Sequence, residues 1–121
     1  MSAIVSALDN NQFAGVAAYF SRQVPVAARG GGDTPASEEG RQIFEDGNGD
    51  LGLQPCSKCH QPDAGGNARF PRLAGQHAAY LRKQLMDYRS GRRATDPVMT
   101  EVAKKLSPAQ ISALAEYLAG L

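Results

Sequence analysis

The sequence predicts an all-α protein. Apolar residues recur at three- and four-residue spacing in several segments, and no stretch alternates apolar and polar residues as a half-buried strand would. Two segments also open with a capping box, Asp9–Gln12 and Ser107–Gln110, in which a side chain and a backbone N–H three residues apart satisfy each other. The 121 residues are enough for one domain with a short additional segment.

The first segment, residues 1–23, is expected to form a helix pair or one broken helix. Residues 24–35 contain Pro25, three consecutive glycines and Pro35, a composition typical of a linker. The main domain is predicted to span residues 36–121. The apolar positions of the first segment are Ile4, Leu8, Phe13, Val16, Tyr19 and Phe20.

Four helices are predicted in the main domain: Ser37–Phe44, residues 77–90 with Gly91 as the stop, a short helix begun by Val102 and Leu106, and a last helix that starts at the Ser107 capping box. The glycine-rich stretch before residue 56 and residues 61–69 are predicted loops. The residues expected to face inward on the two longer helices are Tyr80, Leu81, Leu85, Tyr88, Ile111, Leu114, Tyr117, Leu118 and Leu121.

One short motif carries chemistry, the run Cys56-Ser57-Lys58-Cys59-His60. Its C-x-x-C-H spacing is the sequence signal for covalent attachment of c-type haem. Two thiols on one helical turn can form thioethers with the two vinyl groups of a porphyrin, and the next residue, His60, is then placed as the proximal iron ligand. The sequence therefore predicts one haem c, bound through Cys56 and Cys59.

Other roles for these cysteines explain the motif less well. A structural zinc site usually needs four ligands, and the chain has two cysteines. A thioredoxin-like redox pair would need a βαβ setting, which the pattern lacks. A plain disulfide remains an alternative, but it leaves His60 without a role.

The chain also resembles itself at an offset of 98 residues. Without a gap, residues 1–20 align with residues 99–118 with five identities, and both capping boxes and both apolar patterns coincide. Any two amphipathic helices share some periodicity, but agreement through two helices and a cap is more specific. Residues 1–23 are therefore interpreted as the end of a preceding, similar domain.

Over residues 36–121 the chain resembles a class I cytochrome c. The run Gly40-Arg41-Gln42-Ile43-Phe44 is similar to that family's N-terminal helix, whose glycine and aromatic residue cross the C-terminal helix closely. The run from Phe70 to Gln76, followed by Tyr80 and Gln84-Leu85, is especially similar to tandem dihaem cytochromes of the cytochrome c4 type. The resemblance implies a class I fold, with crossed N- and C-terminal helices around a covalent haem, plus an extra N-terminal helical segment. The chain departs from the tandem pattern because it has one C-x-x-C-H, so the first haem and most of its domain are missing.

The resemblance also implies the ligands. Met99 matches the distal methionine, whose thioether raises the reduction potential relative to a second histidine. Pro71 matches the proline whose carbonyl accepts the His60 Nδ1–H, and Arg72 is expected near a haem propionate. Other ligand candidates are Met86, His77 and Met1. Of these, Met86 is expected at the rim, His77 would give bis-histidine ligation, and Met1 aligns with the ligand of the missing domain.

Six-coordinate iron with no open site indicates a protein that transfers single electrons and is not an enzyme. Two alternatives stay open: a catalytic or gas-binding haem with a labile sixth ligand, and an electron-relay module of a larger oxidoreductase. The apolar residues available to surround the haem are Leu73, Leu81, Leu85, Val98, Val102, Leu106 and Leu114.

Charge is distributed unevenly, although the formal net charge of the chain is only +1. Residues 1–55 carry three basic and seven acidic side chains, whereas residues 56–121 carry ten basic and five acidic ones. The nearly balanced total charge gives no reason to expect a nucleic-acid partner. The positive charge of residues 56–121 favours a redox partner with an acidic docking surface. The alternative is that most of these basic side chains only form solvated helix faces. The basic residues predicted to rim the haem edge are Lys58, Arg69, Arg72, Lys104 and Lys105. Self-association through residues 1–23 is a further expectation, because their apolar face needs to be buried.

The sequence has no run of about 18 apolar residues that could span a membrane. Its first 20 residues lack the basic start and uninterrupted apolar core of a secretory signal. Because bacterial haem c is attached outside the cytoplasm, we expect a periplasmic protein whose signal peptide is absent from this chain.

Overall fold

The computed structural model describes residues 2–24 and 34–121, and in these ranges it contains helices and no strand. A single 3₁₀ turn covers Gly49–Leu51, and one isolated bridge joins Asn48 to Leu53. The all-α prediction is confirmed. The helices are α1 (Ser2–Val5), α2 (Asn10–Ser21), α3 (Pro35–Asp46), α4 (Ser57–His60), α5 (Ala78–Ser90), α6 (Pro97–Lys105) and α7 (Pro108–Ala119).

The predicted crossing of α3 and α7 is present and depends on Gly40. A Cβ atom at Gly40 would lie 2.2 Å from the carbonyl oxygen of Ala113 and 2.9 Å from the Cβ of Tyr117. Real Cβ atoms do not approach backbone that closely, so only glycine allows the two helices to pack at this distance. One turn further on, the fully buried ring of Phe44 lies 5.7 Å from the ring of Tyr117. The closest backbone neighbour is Ala113, one residue before the predicted Leu114.

The core forms where α7 packs against α3 and α5, and α6 packs against α5. Burial of these apolar side chains is the main source of stability for the domain. Residues 56–60 lie at the margin of this core, since Cys56 packs against it. The largest fully buried side chains are Phe44, Leu106 and Ile111.

The predicted caps are confirmed. Asp9 and Ser107 each accept a hydrogen bond from the backbone N–H three residues on, and the glutamine at that position bonds back to the cap. α5 ends at Gly91, whose φ of 77° places it in the left-handed region that favours glycine.

Two helix starts were predicted wrongly. α3 begins at Pro35 and not at Ser37, because Thr34 is the N-cap and accepts a hydrogen bond from the Ser37 N–H. α6 begins at Pro97 and not at Val102, because Asp96 is its N-cap. Both starts have a capping side chain followed by proline at the first helical position, the same arrangement that was recognised at Ser107-Pro108.

Two residues expected to face inward do not. Tyr80 is 48% exposed and Leu121 is 38% exposed. Tyr80 lies in the first turn of α5 beside Leu81, which takes the inward position, and Leu121 lies beyond the end of α7. The other predicted inward positions of α5 and α7 are buried or partly buried.

The predicted helix pair in residues 1–23 is confirmed as α1 and α2. Leu8 is half-buried, the other predicted apolar side chains of the segment are exposed, and α2 has no buried residue. The expectations for Met1 and for most of the linker, residues 25–33, fall outside the described residues. The large exposed apolar residues of this segment are Ile4, Val5, Phe13, Val16, Tyr19 and Phe20, and Val24 directly after it is also exposed.

Candidate functional site

The C-x-x-C-H motif forms a single helical turn. The carbonyl oxygen of Cys56 accepts hydrogen bonds from the N–H of Cys59 at 3.2 Å and of His60 at 3.0 Å. Residues three and four apart on a helix share a face, so this turn brings both thiols and the imidazole to one side. Both cysteines are free thiols and half-buried, and His60 is buried.

The environment of Cys56 is unlike that of a redox-active cysteine. The pKa of this thiol is raised to about 11, chiefly by burial; a backbone hydrogen bond opposes the rise and the nearby Cys59 contributes to it. A reactive dithiol needs a thiolate, which a lowered pKa provides. The thioredoxin-like alternative therefore has no support from this site.

A metal site built from protein ligands alone also lacks support. In the two described ranges, no three side chains among histidine, cysteine, aspartate and glutamate come together in a way that could hold an ion. Zinc in a structural site would need four such ligands.

The ring of His60 is oriented by a hydrogen bond of 2.9 Å between its Nδ1 and the carbonyl oxygen of Pro71. A carbonyl can only accept, so Nδ1 carries the proton and the lone pair of the neutral ring is on Nε2. Nε2 is then the nitrogen available for a metal. Phe70 flanks the imidazole with its ring centroid 6.1 Å away.

The other predicted site residues lie on separate elements. Met99 is half-buried in the first turn of α6, where its N–H donates to Asp96 Oδ1 at 3.0 Å. The Arg72 side chain is exposed, and its Nε donates to the carbonyl oxygen of Ala74 at 3.1 Å. Of the competing ligands, His77 is exposed and Met86 packs half-buried against the core.

The structure adds two residues that the sequence analysis did not single out for the site, Gly66 and Asn67. Both lie in the loop between His60 and Pro71. Asn67 bonds the backbone of Arg69 and Phe70, and Gly66 lies against the backbone on either side of Pro71. The sequence signal was present, since Gly-Gly-Asn is a strong turn pattern. The sequence does not show which part of the backbone this turn contacts.

These residues fit a covalently attached haem. Two free thiols and an imidazole share one turn, and a carbonyl fixes the ring through Nδ1, which leaves Nε2 as the nitrogen for iron. This is the donor set that c-type attachment requires.

Comparison with known proteins agrees with this geometry. The family model described as cytochrome c matches residues 37–121. The chain belongs to the cytochrome c family. Because proteins of this family carry covalently bound haem c, the two cysteines account for one haem.

Similar proteins are named cytochrome c4. The chain is 40% identical to cytochrome c4 of Stutzerimonas stutzeri over 126 residues, covering all of this chain and 59% of that protein. It also superposes on a crystal structure of reduced recombinant cytochrome c4 from Pseudomonas stutzeri with a TM-score of 0.88 and 41% identity, over 98% of this chain and 64% of that one. The class I fold and the resemblance to the second half of a tandem cytochrome are thereby confirmed.

A third relative carries a partner in its name. The thiosulfate dehydrogenase electron acceptor of Thiomonas intermedia is 34% identical over 123 residues, covering 98% of this chain and 57% of that protein. The chain thus spans less than two thirds of the length of these curated relatives. Among the described helices, none combines the length and the apolar character needed to cross a membrane.

Proposed function

We propose that the chain is an electron-transfer protein with one haem c, attached through Cys56 and Cys59 and ligated by His60 and Met99. The observation that carries the proposal is the Cys56–His60 turn with Nδ1 of His60 held 2.9 Å from the Pro71 carbonyl oxygen. The haem supplies one-electron chemistry by cycling its iron between the ferric and ferrous states.

The protein's own residues determine how that chemistry is used. The Pro71 carbonyl orients His60 and makes its imidazole a stronger donor. A thioether from Met99 would close the sixth position and raise the potential. Leu81, Leu106 and Leu114 are buried and would keep water away from the haem. Val98 is 66% exposed, and its place in the haem pocket stays a prediction.

The ligand proposal is tested by the visible and near-infrared spectra of the purified holoprotein, with and without carbon monoxide. We expect a c-type haemochrome, the weak ferric methionine-to-iron band in wild type, and no response to carbon monoxide. Met99→Leu should lose the band and bind carbon monoxide. Met86→Leu, a matched change at the competing methionine, should do neither.

The same experiment separates the alternatives. Ready binding of carbon monoxide by wild type would favour a catalytic or gas-binding haem with a labile sixth ligand. Loss of the methionine band in wild type without carbon monoxide binding would favour bis-histidine ligation, for which His77→Leu is the next variant.

Arg72 is proposed to lie near a haem propionate, where a cation would hold the carboxylate ionised. Its guanidinium is tied to the backbone through Nε alone in the structure, so the terminal nitrogens are available to a carboxylate. Arg72→Gln is expected to make the reduction potential more dependent on pH. An unchanged pH dependence would remove Arg72 from the site.

We propose redox proteins with an acidic docking surface as partners. Support comes from the excess of basic residues in 56–121 and from a relative named as the electron acceptor of thiosulfate dehydrogenase. Of the rim cations, Lys104 pairs with Glu101 at 2.8 Å and Lys105 donates to the Gly52 carbonyl, whereas Lys58 is exposed.

Electron transfer to an acidic partner should therefore slow steeply as salt is added. Lys58→Gln should reduce the slope of this dependence. Arg22→Gln, which removes an exposed cation from the N-terminal segment, should leave it unchanged. A flat salt response of the wild type would contradict electrostatic docking. A relay role inside a larger oxidoreductase would appear instead as partners that copurify.

A periplasmic location is proposed because haem c is attached outside the bacterial cytoplasm. Residues 1–23 are proposed to be the end of a preceding domain of the same family, with residues 24–35 as linker and residues 36–121 as the haem domain, whose first helix begins one residue before that boundary, at Pro35. The offset-98 repeat supports this division, as does the match of the entire chain to 59% of a longer relative.

The exposed apolar face of α2 predicts self-association when the 121-residue chain is purified by itself. Sedimentation of the full chain and of a chain without residues 1–23 tests this. The full chain should form dimers or larger species and the shortened one should be monomeric. Equal behaviour would leave residues 1–23 without a role in association.

A further inference from the structure

The carbonyl of Pro71 is held from both sides by the loop that contains it. After Pro71, the N–H groups of Leu73 and Ala74 both donate to the carbonyl oxygen of Ala64, at 2.8 and 3.0 Å. This pair of hydrogen bonds fixes the path of the backbone directly after Pro71. The approach to Pro71 is fixed separately, by Asn67 and Gly66.

Asn67 closes a turn that ends at the residue before Pro71. Its Oδ1 accepts hydrogen bonds from the N–H of Arg69 at 2.9 Å and of Phe70 at 3.0 Å. Its own N–H donates to the carbonyl oxygen of Phe70 at 2.7 Å. An asparagine side chain that bonds backbone two and three residues on is a standard way to lock a turn. Here it leaves the peptide before Pro71 little freedom to rotate.

Gly66 lies directly against the same peptides. Its N–H donates to the carbonyl oxygen of His60 at 3.0 Å, and its φ is +70°. A Cβ atom here would lie 2.5 Å from the Phe70 carbonyl oxygen, the Pro71 carbonyl carbon and the Arg72 nitrogen. The Pro71 carbonyl carbon bears the oxygen that His60 uses. Any side chain at residue 66 must therefore displace that carbonyl.

The start of the loop has two residues in conformations that L-amino acids rarely adopt. Gln61 has φ 71° and ψ 156°, a region used almost only by glycine, and the buried Ala64 has φ 53°. Such conformations persist only where the surroundings over-determine them, and they cluster at functional sites. These two residues therefore indicate that the loop between His60 and Pro71 is held in one backbone conformation.

We propose that Gly66 and Asn67 are positioning residues that set the Pro71 carbonyl on His60 Nδ1 and thereby tune the reduction potential. The inference rests on the proposed function, in which His60 ligates iron through Nε2. A strong hydrogen bond from Nδ1–H gives the ring partial imidazolate character, which favours the ferric state. Weakening it makes the ring a poorer donor and raises the potential.

The test uses four variants of the holoprotein: Asn67→Ala, Asn67→Asp, Gly66→Ala and Gly65→Ala. Gly65 is a matched control for Gly66. The three atoms nearest to a Cβ at Gly65 all belong to the Asp63 carboxylate, the movable end of a side chain, and the φ of Gly65 lies outside the left-handed region. Asn67→Asp keeps an oxygen that accepts both turn hydrogen bonds. The measurements are the midpoint potential and, by nuclear magnetic resonance of the ferrous protein, the solvent exchange rate of the His60 Nδ1 proton.

Asn67→Ala and Gly66→Ala should raise the potential and speed exchange of the Nδ1 proton by roughly three- to tenfold, the factor that corresponds to one hydrogen bond of ordinary net strength. Gly65→Ala should match wild type in both. Asn67→Asp should restore the wild-type exchange rate while its added charge lowers the potential. If Gly66→Ala does not fold, Asn67→Ala and Asn67→Asp carry the test by themselves.

Wild-type potential and exchange rate in Asn67→Ala would overturn the inference, as would equal effects of Gly65→Ala and Gly66→Ala. Failure of the proposed function looks different. It would appear in the wild-type spectrum as the absence of histidine- and methionine-ligated haem, before any variant is compared.

Discussion

α2 and α7 share a capping and apolar pattern but lie in opposite environments. Each has 12 residues and opens with a capping box, and at an offset of 98 their apolar positions coincide. α7 buries six residues against α3 and α5, whereas α2 buries none. Local sequence therefore specifies the helix, and the presence of a partner helix decides whether its apolar face contributes to stability.

The aligned pair Leu114 and Val16 gives the largest expected contrast. Leu114 is 2% exposed, and Leu114→Ala should lower the free energy of unfolding by about 2–5 kcal/mol through lost burial and the cavity left behind. Val16 is 48% exposed, and Val16→Ala should change the free energy of unfolding by no more than about 0.5 kcal/mol. Denaturant unfolding of the two holoprotein variants measures both. Comparable losses would mean that α2 is packed as α7 is.

The two helical glycines give the next contrast. Gly40→Ala places a Cβ 2.2 Å from backbone, and the resulting overpacking should cost about 1–3 kcal/mol. Gly15 in α2 has no atom within 4 Å of such a Cβ, so Gly15→Ala should stabilise α2 by about 0.5–1 kcal/mol through helix propensity. Circular dichroism recorded during denaturant unfolding measures the effects of both substitutions. A tolerated Gly40→Ala would contradict the close crossing of α3 and α7.

The capping boxes give the smallest contrast. Ser107→Ala should lower the free energy of unfolding by about 1 kcal/mol, because α7 unfolds together with the core. Asp9→Ala removes the same hydrogen bond from α2 but should leave the unfolding midpoint of the haem domain unchanged. Only the helical signal of α2 should fall. If both variants shifted the midpoint equally, α2 would be coupled to the core.

Prediction from sequence worked where a local rule decides the outcome. The capping boxes, the Gly91 stop and the covalent-attachment motif all follow from residues a few positions apart. The start of α6 was missed although Asp96-Pro97 is a local signal of the same kind as Ser107-Pro108, because the helix was placed by its apolar residues and not by its cap.

Long-range contacts were less accessible. The sequence indicated that Gly40 crosses α7, but not that Ala113 is the residue it touches. It placed Gly65 and Gly66 in a loop, but did not show that Gly66 lies against the Pro71 carbonyl whereas Gly65 lies against a movable carboxylate. The first distinction depends on how segments far apart in the chain meet, and the second depends on the backbone conformation of the loop.

In the proposed function the haem iron exchanges single electrons without an open coordination site. Film voltammetry of the wild-type holoprotein, first under argon and then under carbon monoxide, tests this directly. We expect one reversible one-electron wave at the same potential under both gases. A wave that shifts or disappears under carbon monoxide would show that the sixth position is open and that the proposed ligation is wrong.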